Sequence, residues 1–468
     1  MTRIVIAGGG IAGLSIAFAV RKLDPRAEVV VLERGSRTGG NIRTETIDGY
    51  TCESGPDGFL DNAAHTLRLV HDLGLESRLR PSSAAARRRF IVRRGRLCPV
   101  PTSVRSFLTS RVLSPSGKLR VMLEPFAGRR VDEDESIHDF AARRIGVEAA
   151  DRLVGSMVSG IFAGDARALS LAACFPRMRQ MEDEHGGLVR AMLATRRERR
   201  ASGALGMPAG RLTSFTGGMT ELIDALTRAL SGSIRTSSGV RALAKRTDAG
   251  GYDVTAGGDT IHADAVVLAG PAPETAAIVA ACDSELAGLV AGIPAAPLAV
   301  VCLGYSTAAL ATASPTDGFG FLVPRSEPFR ILGTLWESSI YPGRAPAGKT
   351  LMRVMIGGAR DPGAVTMDDD RLLAIVQRDL AAIMRVGVTP EFVRIIRHSR
   401  GIPQYVRGHT ARLRDIDARL QALPGLFLAG NSYRGVSINS CVAEAPVLAA
   451  RALDHLAARR GAGAFSAA

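Results

Sequence analysis

The apolar run Ile4-Val5-Ile6-Ala7 leads straight into Gly8-x-Gly10-x-x-Gly13, and this junction constrains the chain more than any other stretch. A helical pattern follows, with Leu14, Ala17, Phe18 and Val20 apolar and Arg21 and Lys22 at its end. A second apolar run, 29–32, stops on Glu33, twenty residues past Gly13. Strand, glycine turn, helix, strand and carboxylate is the order a dinucleotide-binding unit requires. Gly8 permits the tight turn, Gly10 lets a pyrophosphate approach bare backbone, and Gly13 lets the helix pack close to the strand. Helix N–H groups at residues 11 to 14 then face the phosphates, and Glu33 can accept hydrogen bonds from ribose hydroxyls. The unit by itself does not choose between a nicotinamide and a flavin dinucleotide.

Past Glu33 the pattern continues. Gly39-Gly40 followed by Arg43 can bring backbone to the phosphates and neutralise them. The stretch 52–59 closes a hairpin-like passage, and an amphipathic helix is predicted over 62–74. Residues 87–101 read as two short strands turning at Gly95. From there to about residue 210 the chain is mainly helical, with helices predicted over 104–108, 119–122, 137–145, 149–161 and 187–200. Basic runs at Arg129-Arg130 and Arg196-Arg197-Glu198-Arg199-Arg200 mix with apolar residues there, as on a solvated helical face or one resting on a bilayer or an acidic substrate. Nucleotide-type strands return at 240–243 and 264–268. Residues 296–400 are strand-rich, with strands over 298–303, 320–323, 331–336 and 351–356 and a helix over 369–384. A last buried strand, 425–429, ends on Gly430-Asn431 and leads into a helix over 443–458. A dinucleotide domain that resumes after a long insertion is the layout of large flavoproteins. A strand-to-helix turn so late in the chain can set backbone N–H groups on a flavin ring.

Lys and Arg number 59 against 45 Asp and Glu, a net charge of +14 that suits nucleic acid, an anionic membrane surface or acidic substrates. Arginine dominates lysine in an Ala/Gly/Arg-rich chain, so much of the excess is compositional. No nucleic-acid partner is expected; such a binder would show steeply salt-dependent binding and no flavin absorbance. No apolar run approaches about eighteen residues, so no transmembrane helix is expected, and because the first apolar segment is already a strand, neither is a secretory leader. Six cysteines without a C-x-x-C pair fit reduced thiols in a cytoplasm. No metal-ligand cluster, Ser/His/Asp set or paired acid dyad stands out. No catalytic side chain is assigned, since chemistry borne by a cofactor needs none.

These residues resemble the protoporphyrinogen oxidase family of FAD-dependent, amine-oxidase-like flavoproteins, nearly end to end. The resemblance rests on Gly8–Gly13, Gly39-Gly40 with Arg43, the stretch 159–165 (Ser-Gly-Ile-Phe-Ala-Gly-Asp), 215–219, 320–324, Tyr341-Pro342-Gly343-Arg344-Ala345-Pro346, Gly357-Gly358 and 430–436. It implies an α/β fold: a Rossmann-like FAD-binding domain interrupted into 1–86, 211–290 and 401–468, a mainly helical substrate- and membrane-associating insertion at 87–210, and a mixed-sheet substrate-binding domain at 291–400. It also implies six-electron oxidation of protoporphyrinogen IX to protoporphyrin IX in haem synthesis, with O2 consumed and H2O2 released. Coproporphyrinogen III, with four carboxylates in place of two, is the alternative substrate; the arginine excess favours it, while the Gly430-Asn431 ending favours the first. An amine oxidase or carotenoid desaturase would lack the Tyr341–Pro346 stretch.

By the same resemblance Arg89 binds a substrate propionate, with Arg87 and Arg88 near enough to take its place. Gly160 faces the macrocycle through its carbonyl, Phe162 and Ala163 lie beside it, and Gly320, Leu322, Leu335 and Met355 form walls. FAD is expected against Gly8, Gly9, Gly10, Ile11, Ala12, Gly13, Glu33, Arg34, Gly39, Gly40, Asn41, Ile42, Arg43, Gly55, Pro56, Asp57, Val240, Asn431, Val436, Ser437 and Ile438. Ser440 stands where close relatives often carry an acid, and is expected to cap the last helix. The partners implied are the porphyrinogen, O2, a ferrochelatase receiving the product, a second copy of the chain and a peripheral contact at the inner face of the cell membrane.

Overall fold

The computed structural model describes residues 2–128, 134–201, 210–246, 250–310, 313 and 316–465, with the side chains of 195–201 and 461–465 left out. Five strands, wholly parallel, form the first layer in the order Ile234–Arg235, Glu28–Leu32, Arg3–Ala7, Ala265–Leu268, Leu426–Leu428. Their runs are continuously apolar rather than alternating because both faces are covered. On one face Leu14, Ala17 and Val20 of the helix Ile11–Leu23 pack with Val442, Ala445 and Ala449 of the helix Ile438–Phe465. On the other, Val5, Val30 and Val266 meet Tyr252 and Val254 of a three-stranded antiparallel sheet and Ala276 and Leu286 of two helices. Strands from the beginning, middle and end of the chain are thus neighbours, and every turn at their C-terminal ends opens on one edge.

A seven-stranded sheet forms the second body, in the order Phe392–Pro403, Ala295–Ser306, Lys349–Gly357, Ile331–Leu335, Gly320–Leu322, Arg89–Arg93, Arg96–Pro99. Val301, Val354 and Ile356 on one face pack against Leu372, Val376 and Leu380 of the helix Asp369–Met384. The opposite face turns to the dinucleotide domain, where Tyr50 stacks on Phe392 at 4.6 Å and Arg394 pairs with Glu45 at 2.8 Å. The hairpin of residues 89–99, expected within the insertion 87–210, is hydrogen-bonded into this sheet, because Arg89–Arg93 runs parallel to Gly320–Leu322. The twelve-residue strand Phe392–Pro403 was not anticipated. It carries Arg394, Arg397, His398 and Arg400 along a sheet edge, so it lacks the apolar run or alternation that marks a strand in sequence.

Between Val104 and Ala201 the described chain is helical. The single helix expected over 149–161 is instead a π-helical turn, Ala150–Val154, running into the helix Gly155–Phe162. Arg144, fully buried, ties this insertion together by pairing with Glu124 and Glu182. The basic run Arg129-Arg130 lies outside the described residues, as do the side chains of Arg196–Arg200. At the other end of the chain the last helix begins at Ile438, five residues earlier than expected, and continues through Pro446. Ser437, not Ser440, caps it: the Ser437 Oγ accepts the Ser440 N–H at 3.1 Å.

Candidate active site

The glycine turn is built as its spacing requires. Gly8 takes φ +113°, and its N–H donates to the Leu32 carbonyl at 2.8 Å, tying the turn to the second strand. A Cβ on Gly13 would stand 2.0 Å from the Gly8 carbonyl oxygen, so only glycine lets the helix sit this close. Gly10 precedes the helix with no side-chain cap, no acid occupies the first turn, and space lies open where its Cβ would be. Unsatisfied N–H groups therefore point into an open, electropositive cradle.

Two more turns reach the same place. The Gly39 N–H donates to the Gly9 carbonyl at 2.7 Å, and Gly430 lies against Ala12, its Cβ position 3.6 Å from the alanine methyl. Glu33 accepts from the Gly9 N–H and the Gly35 N–H, one carboxylate oxygen each at 2.7 Å, which holds both oxygens at the cradle rim with lone pairs to spare. Gly55 packs on the Asn41 carbonyl, its Cβ position only 2.3 Å away.

Other expected cofactor contacts are placed differently. The Ile42 side chain is buried in the core of the dinucleotide domain, and Val436 packs against the core of the helical insertion. Arg43 is engaged with Glu45 at 2.5 Å, and the exposed Arg34 lies 3.8 Å from Glu274. Val240 opens the strand Val240–Lys245 and packs against the core below the sheet. Arg37 is the residue sequence reading passed over. Its guanidinium donates to the carbonyls of Thr38 at 2.8 Å, Gly40 at 2.8 Å and Ile42 at 3.3 Å, shaping the Gly39-Gly40 turn from within. A surface arginine in a loop gives no signal of that in sequence.

The expected substrate residues meet on the sheet face turned to this cradle. Strand register sets Arg89, Gly320, Leu335 and Arg353 side by side across four strands. Two residues along, and so on the same face, come Ile91, Leu322, Gly333 and Met355. The helix Gly155–Phe162 lies on this face at Gly160, whose Cβ position is 2.7 Å from a Leu322 methyl. Gly320 is glycine for a backbone reason, since a Cβ there would stand 1.9 Å from the Thr334 carbonyl oxygen. Of the three neighbouring arginines, Arg89 alone stands in the row. Its guanidinium rests over the Phe319 ring at 4.7 Å, while Arg88 is paired with Asp317 and Arg87 ends the short turn before the strand. Phe162 and Ala163 are buried rather than exposed on the wall. The Phe162 carbonyl accepts from Gln404 at 2.7 Å and the Ala163 carbonyl from the Ala359 N–H at 2.7 Å.

Buried charges, another feature not foreseen, join the two bodies. Arg344 pairs with Glu53 at 3.0 Å, and Glu53 also accepts from the Met219 N–H at 2.9 Å and the Thr44 hydroxyl at 2.8 Å. Arg353 donates to the Gly55 carbonyl. Its position was legible as an arginine inside the apolar run 351–356, but not its partner 298 residues away.

The arrangement fits FAD. A pyrophosphate can reach the N–H groups past Gly10, and Glu33 is set for a ribose. Among the described residues no group of three or more His, Cys, Asp and Glu could hold a metal.

Residues 11–453 match the model of the family described as flavin containing amine oxidoreductase. The chain is 30% identical to the coproporphyrinogen III oxidase of Bacillus subtilis (strain 168), over 97% of this chain and 98% of that one. It is 32% identical to the chloroplastic protoporphyrinogen oxidase of Oryza sativa subsp. japonica, over 97% of this chain and 88% of the relative. A crystal structure from Exiguobacterium sp. 255-15 superposes with a TM-score of 0.82 at 27% identity, covering 96% of this chain and 98% of that one.

Proposed function

Because the chain belongs to the flavin containing amine oxidoreductase family, and is an FAD-dependent oxidoreductase, we propose that it oxidises a porphyrinogen to the porphyrin in tetrapyrrole synthesis, with O2 as final acceptor. The observation that carries this reading is the apolar face of Leu322, Leu335 and Met355, with Arg89 at one edge, free of any carboxylate partner among the described residues, and the glycine cradle opposite. Bound FAD supplies the hydride acceptor. The chain supplies position: Arg89 meets a propionate with its planar fork, and the apolar wall keeps water from the macrocycle. Gly160 and Gly333 leave room for the ring where larger side chains would press on Leu322. Purified protein is expected to be yellow and to turn colourless protoporphyrinogen IX into fluorescent porphyrin in air. Lack of flavin, or no porphyrin from either porphyrinogen, would overturn the reading.

Coproporphyrinogen III is the second reading, favoured by Arg360. This half-buried guanidinium, just past the Ala359–Ala163 hydrogen bond, makes no hydrogen bond or ion pair among the described residues. Burial and the nearby Arg325 charge lower its pKa, so a carboxylate at that end of the wall would relieve both. The ratio of rates on the two porphyrinogens decides between them.

Contact with a bilayer is supported by the insertion's surface. Val104 is 77% exposed and Phe126 81%, and Leu108, Leu119, Met122 and Met192 are also exposed beside Arg105 and Lys118. Among the described residues no helix is long and apolar enough to cross a membrane, so the contact proposed is peripheral. Replacing Val104 and Phe126 together by aspartate is expected to release the protein from anionic vesicles in a sedimentation assay while oxidation of soluble substrate continues. Unchanged vesicle binding would refute the contact. Hand-off to a ferrochelatase and pairing with a second copy are proposed on the family resemblance alone.

A further inference from the structure

Where the wall sheet meets the cradle, three carboxylates share a buried space with two guanidiniums: Glu53 and Asp57 from the dinucleotide domain, Glu337, Arg344 and Arg353 from the wall side. Three acids against two arginines leave one negative charge uncompensated. Glu337 is 1% exposed, and neither of its oxygens has a hydrogen-bond partner among the described residues. Its nearest cations are Arg353 Nη1 at 3.6 Å and Arg344 Nη1 at 3.9 Å. The Tyr341 hydroxyl and Asp57 Oδ2 are likewise buried without a partner. Buried polar atoms in folded proteins are nearly always satisfied, so a group of orphans at one place needs an explanation.

The three orphans are close enough that the charges of Asp57 and Glu337 both bear on the Tyr341 hydroxyl. Asp57 follows the Gly55 carbonyl that holds Arg353, and Arg353 stands in the wall row beside Leu335. The Tyr341 hydroxyl lies against the backbone at Gly58, whose Cβ position is 2.7 Å from it. The Tyr341 N–H in turn donates to the Glu337 carbonyl at 2.8 Å, closing the short helix Glu337–Ile340.

We propose that Glu337, in the buried group it shares with Asp57 and Tyr341, takes up the protons that leave the substrate during oxidation. The proposal rests on the porphyrinogen reading above. In each two-electron step a hydride leaves a bridging methylene for the cofactor, and a proton leaves the ring system as the new π bond forms. The apolar wall of Leu322, Leu335 and Met355 offers that proton no acceptor. Glu337 in its carboxylate form takes it, becomes neutral, and returns it to solvent between steps. Every charged or titratable group facing it supports a proton of intermediate affinity. Burial raises its pKa most; Arg344 and Arg353 oppose the rise, Asp57 and Glu53 add to it, and the carboxyl is pushed up to about 7. Tyr341 and Cys302 also face it; burial raises the pKa of Tyr341, and the hydrogen bond with Cys52 together with burial raises that of Cys302, so both stay neutral.

The test is anaerobic single turnover of the FAD-loaded protein with porphyrinogen, following flavin bleaching across about two pH units on either side of neutrality. Below its pKa Glu337 is already protonated and cannot accept, so the rate is expected to fall as pH drops through about 7. Glu337→Gln is expected to slow bleaching by about a hundredfold, the lower range for a positioned acid or base, and to abolish the inflection. Glu337→Asp should keep an inflection. A group that only joined the two domains would lower stability in Glu337→Gln without moving the pH profile, and that result overturns the proposal. Should Glu337→Gln lose its flavin, the wild-type profile decides: a flat rate refutes the proposal and an inflection supports it. Absence of bleaching at every pH would overturn the porphyrinogen reading itself, and this proposal with it.

Discussion

Gly13→Asp is expected to give protein without bound FAD, and even Gly13→Ala should lose at least about tenfold in FAD affinity, or about 1.4 kcal/mol. The reason is a backbone contact. A Cβ at this position would stand 2.0 Å from the Gly8 carbonyl oxygen, and also 3.2 Å from a methyl of Ile6. Gly8 cannot move aside, because its φ of +113° and its hydrogen bond to Leu32 already define the turn. The helix must therefore retreat, and the N–H groups of Ile11 and Ala12 retreat with it. Aspartate adds a negative charge where the pyrophosphate lies, turning an attractive helix terminus into a repulsive one. The ratio of flavin to protein absorbance after purification reads the outcome, and full flavin content in Gly13→Asp would refute the cradle.

Arg89→Ala is expected to raise KM for porphyrinogen about tenfold to a hundredfold while FAD stays bound. A hydrogen bond to a charged group contributes about 1.5–3 kcal/mol, and each 1.4 kcal/mol is a factor of about ten. Among the described residues Arg89 has no carboxylate partner to leave stranded, so the loss should appear in substrate binding rather than in stability. Arg89→Lys should recover only part of the affinity, since an ammonium cannot present the bidentate fork. Arg88→Ala should leave KM near wild type, because Arg88 is already committed to Asp317. An unchanged KM in Arg89→Ala, or an equal rise in Arg88→Ala, would remove Arg89 from its role.

These two positions mark how far the sequence could be read. The run from Ile4 to Glu33 was legible because every relation in it is short-range: glycine spacing, an apolar helix face, an acid at a strand end. The helix Asp369–Met384 agrees with its expected bounds for the same reason, since a strong 3.6-residue period lies between its Asp368 cap and the end of the apolar face. Phe392–Pro403 was missed because an edge strand can carry four basic residues without cost, leaving no periodicity to find. Ser440 looked like a cap only while the helix was thought to begin after it; a start at Ile438 gives that role to Ser437.

Residue spacing by itself determined the dinucleotide cradle and the return of its sheet after a long insertion, while the choice of FAD came with the family resemblance. That resemblance also supplied wall candidates, but as separate points along the chain. Only the tertiary structure put Arg89 beside Gly320 and Leu335, moved Ile42, Phe162 and Val436 into cores, and gathered Glu53, Asp57, Glu337, Arg344 and Arg353 in one buried space. The difference is one of range. A turn or a cap depends on neighbours a few residues away, whereas strand register and the company of a buried charge are fixed by pairing segments hundreds of residues apart, for which no single sequence carries a local mark.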